Sequence, residues 1–193
     1  MDFPKLLQLI SPFFLLAIPF VVLPKINRGE IRPNAVTFLI RSIVAIMNMI
    51  TYFLMTDKEI FKSLIMVMST VSLSSIFITC LVKNGIGNMS PFDKACGILS
   101  IVAIIIWKTS DHTVANITIQ LIIVLASIPT MLGVVSGRNK EIPLPWMMAT
   151  AAYVLNIIAL YLLHAATVQM IHLFVCAISN TVIAILAHKT NKV

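Results

Sequence analysis

Charge is what this chain has least of. Asp, Glu, Lys and Arg make up 11% of its 193 residues, against about 25% in a water-soluble domain, so water is not the main solvent for its surface. Cysteine is scarce too: Cys80, Cys96 and Cys176 are odd in number and lie in or beside apolar segments. No CxxC or Cys/His ligand spacing occurs, so neither a disulfide framework nor a metal site is expected, and the three read as small apolar side chains. A Gly-rich phosphate loop, an HExxH run and a Ser-His-Asp pattern are all missing. No catalytic residue, metal or cofactor is therefore assigned, and an enzyme is not expected.

Apolar residues, in contrast, make up 59%, with a mean hydropathy of +1.00. A membrane span needs about 20 apolar residues, and seven stretches answer: Leu6–Leu23, Val36–Met55, Ile60–Val82, a shorter Ala95–Trp107, Thr113–Val135, Trp146–Leu163 and Ala165–Ala187. Lys5 before an apolar run superficially suggests a signal peptide, but no cleavage site precedes a polar segment, so the first stretch reads as a span. The break between the last two rests on His164 and its small neighbours; six spans is the alternative count. The fold class expected is all-α integral membrane.

Loop charge orients the spans. Lys5, Lys58, Lys62 and Lys108 fall on one side; Lys25, Arg28, Arg32, Lys83, Lys94, Arg138, Lys140, Lys189 and Lys192 fall on the other. Nine against four puts the second group in the cytoplasm, with the N-terminus outside and the C-terminus inside. Arg41 lies near the cytoplasmic side and is expected to snorkel outward. The formal charge of +7 then reflects topology and lipid headgroups, not nucleic acid. Asp57, Glu59 and Asp111 fall in outer loops, and Glu30, Asp93 and Glu141 on the inner side, so no acidic residue is expected deep in a span.

One unit occurs twice. Ile18-Pro19, a basic loop and an apolar helix holding Phe38 and Asn48 are answered by Ile128-Pro129, a basic loop and a helix holding Trp146 and Asn156. Between residues 37–54 and 145–162 the identities are Asn48/Asn156, Ile50/Ile158 and Leu54/Leu162. Three helices, a linking helix and three helices give a parallel 3+1+3 repeat of triple-helix bundles: residues 1–82, a linker helix in 83–112, and residues 113–193. Such repeats place a solute site near the midplane, where the halves meet.

A proline near the end of the first and fifth helices, a short basic loop, and helix openings Pro33-Asn34-Ala35-Val36-Thr37-Phe38 and Pro143-Leu144-Pro145-Trp146 resemble PQ-loop and SWEET-type transporters, with a texture similar to bacterial members of the group. The resemblance implies a bacterial inner (plasma) membrane, Pro19 and Pro129 as hinges of alternating access, and a pocket between the triplets. Asn180 falls where SWEET-like proteins carry a substrate-contacting Asn. Where the family has Pro-Gln, this chain has Pro19-Phe20 and Pro129-Thr130.

Polar side chains inside spans face the bundle interior or a cavity. Asn48, Asn156, Asn180, Tyr52 and Trp146 are the candidate substrate-binding residues. The matched asparagines stand out because their amides both donate to and accept from a neutral polar solute. The bland alternatives are interhelical hydrogen bonds for the asparagines, an interfacial aromatic belt for Trp146 and Phe38, space filling for Tyr52 and Tyr161, and satisfied packing for His172. Ser69, Ser72, Ser75, Asn116, Gln120, Ser127 and Ser179 complete the polar set. Asn116-Ile117-Thr118 matches a glycosylation sequon, yet inside a span it stays unmodified. The expected function is movement of a small neutral polar solute by alternating access, as facilitated diffusion, because no acidic proton relay is present. The alternative is a receptor or an accessory or assembly subunit on the same scaffold. The partners are a small-molecule solute and the lipid bilayer, with a homo-oligomer left open.

Overall fold

The computed structural model describes residues 2–55, 60–85, 89–110 and 112–190. Lys58, Lys192, Asp57, Glu59 and Asp111, and the side chains of Lys62 and Asn116, lie outside what is described. Among the described residues seven helices follow one another: α1 (Phe3–Asn27), α2 (Ala35–Met55), α3 (Ile60–Asn84), α4 (Pro91–Thr109), α5 (His112–Val135), α6 (Pro143–Leu162) and α7 (Thr167–Thr190). All but α4 are long and apolar enough to cross a membrane. The chain is an all-helical integral membrane protein. Its outward side chains agree: Phe20, Ile78, Ile98, Leu121 and Ile178 stand at least half exposed, and only lipid tolerates an apolar surface of that extent.

Each element ends for a local reason. α1 runs past the expected Leu23 because Pro24 is accommodated within it, and it closes where Gly29 turns left-handed (φ +70°) and Glu30 N–H returns to Lys25 C=O at 2.9 Å. α5 closes the same way: Gly137 has φ +71°, and Asn139 N–H returns to Gly133 C=O at 2.9 Å. α6 begins three residues before the expected Trp146, with Pro143 in its first turn, where a missing N–H costs nothing. α6 and α7 are separate helices. Here His164 takes the left-handed turn that glycine takes elsewhere (φ 52°), and Ala165 N–H reaches back to Leu160 C=O at 3.0 Å.

Packing follows a simple neighbour scheme. α3 lies between α1 and α2, and α7 lies between α5 and α6; α1 also packs on α6, and α2 on α5. α4 packs mainly on α5 and runs beside α2 in the same direction. It is tied to α2 at both ends. Asn34, whose Oδ1 accepts the Thr37 N–H at the start of α2, donates its Nδ2 to Asp93 at 2.9 Å. At the far end Trp107 Nε1 donates to Thr51 Oγ1 at 3.0 Å. Charges at its ends, Asp93 and Lys94 at one and Lys108 at the other, are what separate α4 from the six more apolar helices.

The loops after α1 and α5 meet. Arg32 and Lys140 form an antiparallel bridge, with Arg32 N–H donating to Lys140 C=O at 2.9 Å.

Candidate functional site

Between the helices lies a cavity that leaves about 70 Å³ for the centres of water molecules. One helix face after another supplies its wall at helical spacing. α2 contributes Phe38, Arg41, Ala45 and Asn48; α6 contributes Trp146, Ala149 and Tyr153; α7 contributes His172, Cys176 and Asn180. Apolar residues of α1 and α3, such as Ile18 and Leu73, complete it.

The residue at its centre is one that the sequence places elsewhere. Arg41 does not snorkel outward: it is 7% exposed. Its Nη1 donates to Asn180 Oδ1 at 3.0 Å, its Nη2 donates to Ser127 Oγ at 2.6 Å, and its guanidinium lies 5.1 Å from the centroid of the Trp146 ring. An aromatic face and two oriented acceptors offset part of the cost of burying a cation. Glu141 differs in the same way. Expected in a solvated inner loop, it is buried against the cavity and accepts the Trp146 indole N–H on Oε2 at 3.3 Å. Trp146 and Phe38 are likewise not an interfacial belt: both are buried, with ring centroids 6.0 Å apart.

Burial pushes the Glu141 carboxyl up to about 7, against the downward pull of the Trp146 N–H and then of Arg41. A carboxyl raised above its ordinary value opposes the folded state when it ionises. Stability is therefore held at low pH and lost as pH rises from about 4.5 through about 7, by about 3 kcal/mol at most. Glu141→Gln is expected to flatten this decline in the thermal midpoint. A wild-type midpoint independent of pH over that window would contradict the assignment.

The candidates named from sequence divide between cavity and packing. Asn48 lines the cavity; its Nδ2 contacts Met66 Sδ at 3.0 Å, and its Oδ1 has no hydrogen-bond partner. Asn180 and Trp146 line it as described. Asn156 and Tyr52 are buried but are not part of the cavity lining, so the two matched asparagines do not face one space. Tyr161 points outward at 70% exposure. Pro19 and Pro129 are buried within continuous helices, away from the lining. A proline leaves the carbonyl four residues earlier without its helical donor. For Pro129 that carbonyl belongs to Leu125, and the Cys96 thiol of α4 donates to it at 3.3 Å.

Two further polar pairs cross-link helices. Ser69 and the Tyr153 hydroxyl lie 3.0 Å apart, joining α3 to α6, and His172 Nδ1 lies 3.1 Å from Gln120 Oε1, joining α7 to α5. His172 is thus a hydrogen-bonded packing residue that also faces the cavity. Arg41 and Glu141 are the residues missed from sequence. For Arg41 a signal was present, since it shares the face of Phe38 and Asn48 at positions i, i+3 and i+10. For Glu141 none was, because its burial depends on how the loop folds back.

Among the described residues, no group of three His, Cys, Asp or Glu side chains could hold a metal. Comparison with protein-family models, curated proteins and solved structures finds no match for this chain.

Proposed function

We propose that this chain is a transporter of the PQ-loop and SWEET type, moving a small polar solute through the central cavity by alternating access and performing no catalysis. The observation that carries the reading is a cavity between helices otherwise dressed for lipid, its mainly apolar wall interrupted by Arg41, Asn48, Glu141 and Asn180. The 3+1+3 repeat belongs to this proposal. It is supported by the neighbour scheme, which maps onto itself when α1, α2 and α3 are exchanged for α5, α6 and α7. It is also supported by two contacts between matched positions, Arg32 with Lys140 and Phe38 with Trp146, since 140 − 32 and 146 − 38 both equal 108. In this reading α4 crosses the bilayer as well, because it is tied to both ends of a spanning helix. The N-terminus lies outside and the C-terminus in the cytoplasm of a bacterial inner membrane, as the basic loops favour. Arg41 and Glu141 both face the cavity, so the solute need not be neutral.

Uptake by proteoliposomes tests this. A panel of small polar solutes should include one that Asn48→Ala slows by about tenfold, the effect of losing one buried hydrogen bond to a ligand. Asn156→Ala, outside the lining, should leave its rate unchanged. If no solute enters proteoliposomes faster than protein-free vesicles, the transport reading fails in favour of a receptor or accessory subunit.

A further inference from the structure

The charge of the cavity is uneven. Arg41 turns its guanidinium toward the cavity with only neutral acceptors, Asn180 Oδ1 and Ser127 Oγ, on its Nη groups, and its Nε has no acceptor. Among the described residues no carboxylate stands within ion-pairing distance of it. The titratable groups that act on it electrostatically are Cys176, Tyr153 and Glu141. A thiol and a phenol are neutral at physiological pH, and Glu141 directs Oε2 to the Trp146 indole. A buried cation with no carboxylate bonded to it costs several kcal/mol. A guanidinium is also a planar fork of donors shaped for a carboxylate. Arg41 pins α2 to α5 and α7 through its two bonds, but that task needs no charge, and an uncharged amide would do it at lower cost.

We infer that the cavity binds a short-chain monocarboxylate, its carboxylate group on Arg41 beside Asn180 and its carbon chain against Ile18, Val44 and Leu73. The inference rests on the same cavity as the proposed transport, but not on transport occurring. Space sets the size. At about 10–15 Å³ for each water-sized unit, 70 Å³ admits roughly five to seven non-hydrogen atoms. Valence sets the charge. One guanidinium neutralises one negative charge, whereas a dianion such as phosphate would bury a second charge that no cation of the lining neutralises. Apolar side chains set the rest of the ligand, since most of the wall gives a second polar group no partner.

The test is thermal melting of the purified protein in detergent micelles at fixed ionic strength. Acetate and butyrate are compared with acetamide, glycine, chloride and inorganic phosphate. The two carboxylates should raise Tm by about 3–6 °C at ten times Kd, and the other four should not. Arg41→Lys, which keeps the charge but loses the fork, should weaken the response at least tenfold. Asn180→Asp supplies a carboxylate from within: it should raise the basal Tm and abolish the response, and it remains decisive if Arg41 variants fail to fold. Equal stabilisation by acetamide or phosphate, a response confined to glycine, or a carboxylate response that survives in Asn180→Asp would each overturn the inference. Carboxylate binding without uptake would count against transport alone, and uptake of a neutral solute without a carboxylate response against this inference alone.

Discussion

In the proposed transporter, oxidising a cysteine pair introduced as Arg32→Cys and Lys140→Cys stops solute movement, and reduction restores it. The two loops meet at these residues, with the Arg32 N–H on the Lys140 carbonyl at 2.9 Å. Residues facing each other in an antiparallel pair have Cα atoms roughly 4.5–5.5 Å apart, inside the roughly 4.4–6.8 Å that a disulfide spans. The native thiols are buried and do not compete. Ile31, Pro33, Glu141 and Ile142 of the same loops line the cavity, so this contact closes one of its ends. Alternating access requires that end to part. The natural pair suits a closure that opens readily, because two cations placed opposite each other weaken the pairing. A covalent bond in their place removes the opening altogether. Complete cross-linking with undiminished uptake would show that solute does not pass between these loops.

Trp146→Ala will be among the most damaging single changes to stability. A buried Trp or Phe reduced to Ala typically costs about 3–5 kcal/mol, and here three neighbours lose a partner together. Phe38 loses the ring 6.0 Å away, Arg41 loses the face beneath its guanidinium, and Glu141 loses an indole donor. Trp146→Phe separates these effects. It keeps a ring for Phe38 and Arg41 but removes the N–H, and about 1–2 kcal/mol is expected from the missing hydrogen bond to a buried carboxyl. Denaturant or thermal unfolding in micelles gives both values. A loss below about 1 kcal/mol for Trp146→Ala would mean that the site is held by the helices and not by this side chain.

Apolar run length and loop charge are enough to read the helices. Every helix lies within a few residues of its expected span, because in lipid the length of a span is dictated by the bilayer. The differences are at the ends, where Pro24 and Pro143 are absorbed into helices. His164 marks the last break correctly, although nothing in its type announces a left-handed turn. The site is read less well, for a physical reason. An arginine near a helix start is expected to reach for water, yet its position is decided by partners 86 and 139 residues away, Ser127 and Asn180. The thiol that answers the Pro129 break also comes from another helix, 29 residues from Leu125. Long-range pairs of this kind leave no mark on spacing along the chain.

In the proposed repeat, the contacts of Arg32 with Lys140 and of Phe38 with Trp146 join each position to its own counterpart. That is the mark of a two-fold axis passing between them, as in a symmetric dimer where a residue on the axis meets itself. In such a dimer any substitution is made twice, and an arginine facing the centre would face a second arginine. Joining the halves in one chain lifts that restriction. Arg41 is matched by Ala149 and Asn180 by Ser72, so a single cation stands in the shared space without a like charge opposite. A cavity that receives an asymmetric ligand in one orientation is something a covalent tandem can build and a strictly symmetric pair cannot.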